Sequence, residues 1–199
     1  ASSRVRYGLL ILRFIALLDA NVLYPAPLRD LLLRLAIADV FAARWTERIH
    51  EEWIRNLLKN RTDLTSEQLQ RTRYLMNSNV RDCLVETYEA LESRLVLPDE
   101  DDKHVLAAAI KCNAQAIVTF NLKDFPADEL SKYDVEAIHP DVFIQNQIDL
   151  NVGLVCKVVK KHRHSLKKPP KSISDYLDTL ESCGLVVSAD ILGQYAENL

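Results

Sequence analysis

Short apolar runs of strand length alternate along this chain with longer stretches in which apolar residues recur every three or four positions. Phe14-Ile15-Ala16-Leu17-Leu18 reads as a buried strand, as does Ala116–Phe120, and Val135–Ile138 as a last short one. Arg94–Leu97, ahead of Pro98, completes the predicted strands. Between them, Leu28, Leu31, Leu32, Leu35 and Ala36 fall at helical spacing and predict a helix from Leu28 to Ala43. Ile49, Trp53 and Leu57 mark the buried stripe of a helix from Thr46 to Asn60, with Thr46 as its N-cap. Thr65–Met76, capped by Ser66, and Val80–Glu92 are two more predicted helices, parted by Asn77-Ser78-Asn79. Asp101 or Asp102 opens a helix running to about Asn113, and His139-Pro140-Asp141 starts another with proline in its first turn.

Helices alternating with short apolar strands specify an α/β fold, with a parallel sheet between two helical layers. Beyond residue 142 the strand signals stop, and helices are expected at about 141–164, 174–182 and 188–197. Gly184 ends the second of these, and Lys167-Lys168-Pro169-Pro170-Lys171 is the clearest linker. The expected organisation is therefore one domain over 1–142 and a C-terminal helical appendage over 143–199.

Composition narrows this picture slightly. With 48% hydrophobic and 27% charged residues the chain can bury a sizeable core, and only four glycines argue against a loop-rich all-β fold. A net charge of −3 singles out no partner. Cys83, Cys112, Cys156 and Cys183 are scattered without a C-x-x-C pair, which disfavours a zinc site or disulfide framework and points to a reducing, cytoplasmic setting. Arg4 and Arg6 precede Gly8-Leu9-Leu10-Ile11-Leu12 in the manner of a signal peptide. Arg13 interrupts that run and Asp19 ends the next without a cleavage site, so a first strand behind a short leader is expected. No stretch approaches the ~20 apolar residues that span a bilayer, so no membrane partner is expected.

Acidic residues change the picture most, because they appear where apolar runs end. Asp19 closes the first run, Asp99 and Asp102 follow Leu95-Val96-Leu97-Pro98, and Asn121 and Asp124 follow Ala116–Phe120. Ligands of open parallel sheets bind beyond the carboxyl ends of the strands. Carboxylates gathered there would raise one another's pKa, a conflict that a magnesium or manganese ion relieves. Glu52 sits about 100° from the Ile49/Trp53/Leu57 stripe and borders the buried face, whereas Glu51 points to water. By the same geometry Asp102 lies at the inner edge of its helix start with Asp99 one turn earlier, and Glu100 and Asp101 are solvated. His104 is read as a helix-surface residue, and Trp45 and Trp53 as core residues in helical context.

Together these segments resemble the PIN-domain nucleases, and within them the ribonuclease toxins of bacterial toxin–antitoxin pairs, often called VapC-type. The likeness rests on Leu-Leu-Asp19-Ala-Asn21-Val, His-Glu-Glu52-Trp, Pro-Asp99-Glu-Asp-Asp102-Lys-His-Val-Leu-Ala-Ala-Ala and Val-Thr119-Phe-Asn121-Leu-Lys-Asp124-Phe-Pro, over about residues 14–142. It implies a three-layer α/β/α parallel-sheet PIN-like domain that cleaves RNA with Mg2+ or Mn2+. Asp19, Glu52, Asp102, Asn121 and Asp124 would be the catalytic set, with Asp19, Asp102, Asp99 and Glu52 as metal-binding residues. Asn121 stands where many relatives carry an acid, which leaves Asp124 or Asp99 to compensate. Thr119 and Asn21 would position the substrate. The implied partners are an RNA and a cognate antitoxin protein, and the resemblance leaves a homodimer open. The tail after 142 is similar to an extra C-terminal domain found on a subset of these toxins.

Seven Lys or Arg and two His, with no acid, lie between Lys157 and Lys171. Lys160, Lys161 and Arg163 in this stretch are candidates for contact with RNA or a protein partner. Two rival readings remain open. A haloacid-dehalogenase-type phosphatase also begins with an Asp after its first strand, but needs a second Asp two residues later, where this chain has Asn21. A PIN-like module that binds RNA or a partner without efficient cleavage is favoured only by Asn121.

Overall fold

A computed structural model describes residues 13–167 and 169–199. The leader read before Arg13 and Lys168 of the linker lie outside the described residues. Four strands, β1 (Ile15–Leu18), β2 (Ala42–Arg44), β3 (Ala116–Val118) and β4 (Glu136–Ile138), form one sheet in the order β2-β1-β3-β4. All neighbours run parallel. The helices in chain order are α1 (Ala20–Leu23), α2 (Ala26–Ile37), α3 (Glu47–Asn60), α4 (Ser66–Asn79), α5 (Glu89–Glu92), α6 (Lys103–Lys111), α7 (Ala127–Leu130), α8 (Pro140–Ser165), α9 (Ile173–Ser182) and α10 (Val186–Gly193).

The chain steps from β1 outward to β2, then returns past β1 to β3 and on to β4. Right-handed crossovers therefore place α2 on one face of the sheet and α6 and α7 on the other. The reversal of direction falls between β1 and β3, which opens a crevice at their carboxyl ends. The parallel sheet, its flanking helices and the C-terminal helical region are thus all present.

Several local expectations are corrected. The helix expected to reach Ala43 ends at Ile37. Asp39 turns the chain with φ 62°, and Ala42–Arg44 becomes β2 by pairing with β1. Trp45 is accordingly not helical; it follows β2 and bridges to Leu84. Asp82 and Thr87 take positive φ, so 80–92 is mostly irregular and keeps only the turn α5. Leu95 and Leu97 are buried while Val96 is exposed, the alternation of a strand, yet the segment pairs with no strand among the described residues. Thr65, not Ser66, caps α4, in a reciprocal capping box with Gln68.

A buried polar relay anchors α3, which carries Glu52. The Trp53 indole N–H donates to His50 Nδ1 at 3.0 Å, which leaves the proton on Nε2, and Nε2 lies 2.9 Å from Asn77 Oδ1. The Trp45 indole N–H donates to the same Asn77 oxygen at 2.8 Å. Burial holds the His50 pKa down at about 4, consistent with a neutral ring. Thr46 caps α3 as expected, accepting from the Ile49 N–H.

Helices α8 and α9 pack on α2, α10 packs on α8 and α9, and their buried side chains join the cluster that fills the sheet. Within α8, Asn151 leaves helical geometry and its side chain recaps the helix by accepting from the Leu154 N–H at 3.1 Å. Asp141 in the first turn of α8 accepts from the Val187 and Ser188 N–H groups, capping the start of α10. Gly184 has φ 85°, and a Cβ there would meet the Phe120 ring at 3.0 Å, so both the backbone conformation and the close packing favour glycine. Among the described residues no helix is long and apolar enough to cross a membrane.

Candidate active site

The crevice between β1 and β3 is floored by Asp19 and Thr119, each one residue past its strand. Their backbones are fixed by the ladder: Asp19 N–H donates to Val118 C=O, and Thr119 N–H to Ile138 C=O. Thr119 is fully buried, and its hydroxyl donates to Asp19 Oδ2 at 2.7 Å. Asn21 Nδ2 also donates to Asp19 Oδ2, at 2.7 Å, while Ala20 N–H donates to Oδ1 at 2.6 Å. A carboxylate accepts about four hydrogen bonds, so these three leave Asp19 oriented with roughly one site open.

The Asn21 amide is fully engaged, because its oxygen accepts from Phe120 N–H and its nitrogen donates to Thr119 Oγ1 as well as to Asp19. Thr119 and Asn21, the expected substrate-positioning pair, thus sit beneath Asp19 and orient it. Burial pushes the Asp19 carboxyl above its usual range; the Thr119 and Ala20 hydrogen bonds oppose this, and the Glu52 charge adds to it.

Asp102 approaches from the start of α6. Its pKa is raised to about 7, first by burial and then by the charges of Asp19, Asp99 and Asp124. A cavity of about 390 Å³ is lined by Asp19, Asn21, Asp102 and Asn121 together with Tyr24, Asn56 and Asn60. Glu52 lines an adjoining hollow of about 380 Å³ that shares Asp102 and Asn56. A larger hollow of about 660 Å³ beside edge strand β2 contains none of these acids, so size alone does not locate the chemistry.

The remaining candidates sit at the rim. Asp99 is exposed, and one of its oxygens caps the turn into α6 by accepting from Asp101 N–H. Asn121 donates from Nδ2 to Asp124, and from its backbone to Thr119 Oγ1 at 3.0 Å. Asp124 therefore bears on the site through the Asn121 amide and through its charge on Asp102. Glu51 is exposed and Glu52 half-buried, as helix geometry required.

His104 is the residue that sequence reasoning misplaced. It is 1% exposed rather than on the surface, and its Nε2 donates to Glu52 Oε1 at 3.0 Å. Its Nδ1 is buried without a partner among the described residues. Arg48 contacts the same Glu52 oxygen at 3.6 Å and reaches Glu92 at 3.4 Å. Glu52 is thereby held at the wall facing Asp102. A polar residue on an otherwise apolar helix face, one turn from Ala107 and Ala108, was the available signal.

No three His, Cys, Asp or Glu side chains among the described residues form a tight chelating cluster. The donor chemistry nonetheless suits a hard divalent cation. Magnesium keeps several waters and takes as few as one or two carboxylates, supplemented by substrate phosphate. Asp19 and Asp102 supply hard oxygens, and the raised pKa of each is the shift that a neighbouring cation reverses.

Away from the crevice, Lys160 and Lys161 project from α8 and are exposed. The half-buried Arg163 donates to Lys171 C=O at 3.0 Å and Leu199 C=O at 3.1 Å, pinning the end of the chain. All four cysteines are free thiols.

A PIN-domain family model matches residues 16–123, and a model described as the VapC50 C-terminal domain matches residues 140–194. A protein of Mycobacterium tuberculosis named "Putative ribonuclease VapC50" is 42% identical over 79 residues, covering 40% of this chain and 47% of that protein. The chain thus aligns with about half the length of this relative. No solved structure matches the chain.

Proposed function

The chain belongs to the PIN-domain family, and on that premise we propose that it is a metal-dependent endoribonuclease, the toxin of a toxin–antitoxin pair. The observation that carries this reading is the meeting of Asp19 and Asp102 at the reversal point of the sheet, both with raised pKa. The name of the mycobacterial relative and the match to its C-terminal domain family support it. The nuclease unit is taken as 1–142 and the helical unit as 143–199.

In this reading Asp19 and Asp102 hold Mg2+ or Mn2+, with Asp99 and Glu52 beside them. The bound cation would neutralise the scissile phosphate and lower the pKa of the attacking water. Thr119, Asn21 and the Ala20 N–H keep the Asp19 carboxylate aimed into the crevice. Glu52, steadied by His104 and Arg48, orients the attacking water. Asn121, locked to Asp124, faces the cavity and positions the phosphate. The RNA substrate, an antitoxin and pairing of two copies belong to the same proposal.

The decisive assay incubates the protein with mixed small RNAs and Mg2+ or Mn2+, with and without a chelator. Cleavage is expected only with the metal and only with Asp102 intact, so Asp102→Asn abolishes it while Glu51→Gln does not. Metal-independent cleavage, or full activity of Asp102→Asn, would overturn the assignment. RNA binding without cleavage would favour the non-cleaving module suggested by Asn121.

A further inference from the structure

The cavity at the carboxyl ends of β1 and β3 has two chemically different ends. One holds Asp19, Asp102 and Asn121; the other is walled by Tyr24, Asn56 and Asn60 and carries no charge. We propose that this neutral wall is a nucleobase subsite, which takes the base beside the scissile phosphate of single-stranded RNA. The inference rests on the nuclease reading above and adds to it which part of the substrate goes where.

Helix α3 sets the direction. Glu52, Asn56 and Asn60 are spaced i, i+4, i+8, so they form one polar stripe running outward from the acids. Asn60 Nδ2 donates to the Tyr24 hydroxyl at 3.3 Å, a long bond that a ligand can replace at little cost. Of the other two amides of the cavity, Asn21 is committed to Asp19, Thr119 and Phe120, and Asn121 is held by Asp124 at the acidic end, where it faces the phosphate. Asn56 and Asn60 are exposed and present paired donor and acceptor groups of the kind that read a base edge. Tyr24 adds a half-buried ring against which a base can stack.

A phosphate would select cations instead, and these lie on the other flank. The adjoining hollow, which shares Asn56 and Asp102, is lined by Arg48 and the exposed Arg55 but also by Glu51, Glu52 and Asp101, and Arg48 is already paired with Glu52 and Glu92. Arg55, exposed and in no ion pair among the described residues, is therefore the cation there that can meet an RNA phosphate while the base turns to the amide side. A base already paired in a duplex hides the edge these amides would read, so the geometry selects unpaired RNA.

The test uses binding, so that it does not depend on cleavage. The full chain carrying Asp102→Asn is titrated against fluorescein-labelled eight-nucleotide RNAs and against a ribose-phosphate oligomer of equal length that lacks bases. The intact RNA is expected to bind roughly tenfold tighter, the scale of one base contact. Adding Asn56→Ala and Asn60→Ala should bring that ratio towards one. Both are exposed helix positions where alanine favours the fold, and a melting curve checks it. Adding Arg55→Ala to the Asp102→Asn chain should instead weaken both oligomers alike and lower the salt slope by about one.

An equal ratio with and without the two asparagines overturns the subsite. So does a double variant that binds RNA normally but fails to bind a co-expressed antitoxin, which would make the wall a protein-docking surface. If the wild-type chain cleaves no RNA with Mn2+ yet the ratio depends on Asn56 and Asn60, the subsite stands and the nuclease reading falls.

Discussion

Asp102 binds its proton more tightly in the folded chain than in the unfolded one, because burial and three neighbouring carboxylates lift its pKa from 3.8 to about 7. Its contribution to stability is therefore fully present below about pH 4 and is lost as pH rises through 7. Asp102→Asn should leave the melting temperature unchanged at pH 4 and raise it at pH 8, at roughly 2–4 °C per kcal/mol for a chain of this size. Thermal melts at both pH values check this, and an equal gain at pH 4 would refute the electrostatic cause. His104 acts on the site through Glu52. Replacing it with Leu should lower kcat by about 10–100-fold with KM little changed, and Gln, which keeps an N–H donor, should restore much of the loss. In the Glu52→Gln background the Leu substitution should cost little more. Additive losses would mean that His104 serves packing alone.

At the scale of elements, the C-terminal helices are held by two polar devices that acid disrupts in different pH ranges. His162 on α8 is buried, with Nδ1 2.9 Å from the Tyr176 hydroxyl on α9. Burial, with help from Arg34, lowers its pKa from 6.5 to about 4. The folded state therefore favours the neutral ring, and this stability is present above pH 6.5 and lost as pH falls towards 4. Burial works to raise the Asp141 pKa, but the hydrogen bonds from Ser188 and Val187 outweigh it and lower it. Its contribution is therefore present above about pH 4 and fails only in stronger acid. Hydrogen exchange at pH 5 should speed up in 152–165 and 173–182 relative to pH 7.5, after correction for intrinsic rates, while β1 and β3 stay protected. Uniform loss of protection across the sheet would contradict a local cause, and His162→Gln should remove the pH dependence.

Across the whole molecule, α8, α9 and α10 share the apolar cluster of the sheet, and Gly184 touches Phe120 next to Thr119. The acidic crevice and the basic face of α8 are thus parts of one packed body. Lys160 and Lys161 are free to meet a phosphate backbone, whereas Arg163 ties down Lys171 and Leu199. Replacing the two lysines with Ala should flatten the salt dependence of RNA affinity by roughly one log–log unit for each phosphate no longer neutralised. Arg163→Ala should lower the melting temperature instead, since it leaves two carbonyls without their donor. An unchanged slope in the lysine variant, with antitoxin affinity reduced, would assign this face to the protein partner.

What could be read from the sequence was what local periodicity encodes. The runs at 14–18 and 116–120, the Ile49/Trp53/Leu57 stripe and the Thr46 cap are properties of neighbouring residues, and so was the choice of Glu52 over Glu51. The acids after apolar runs were legible for the same reason, because a parallel strand presents its next residue at the sheet's carboxyl edge. Strand β2 was not legible: Ala42-Ala43-Arg44 has little strand preference and becomes a strand only because β1 lies alongside it. Arg94–Leu97 shows the converse, a strand-like alternation with no partner to pair with. His104 looked like a surface residue because nothing near it in sequence supplies a partner; Glu52, 52 positions earlier, does. Periodicity is a property of neighbours along the chain, whereas pairing, burial and charge coupling belong to residues that meet only once the chain has folded, and tertiary structure alone decided those.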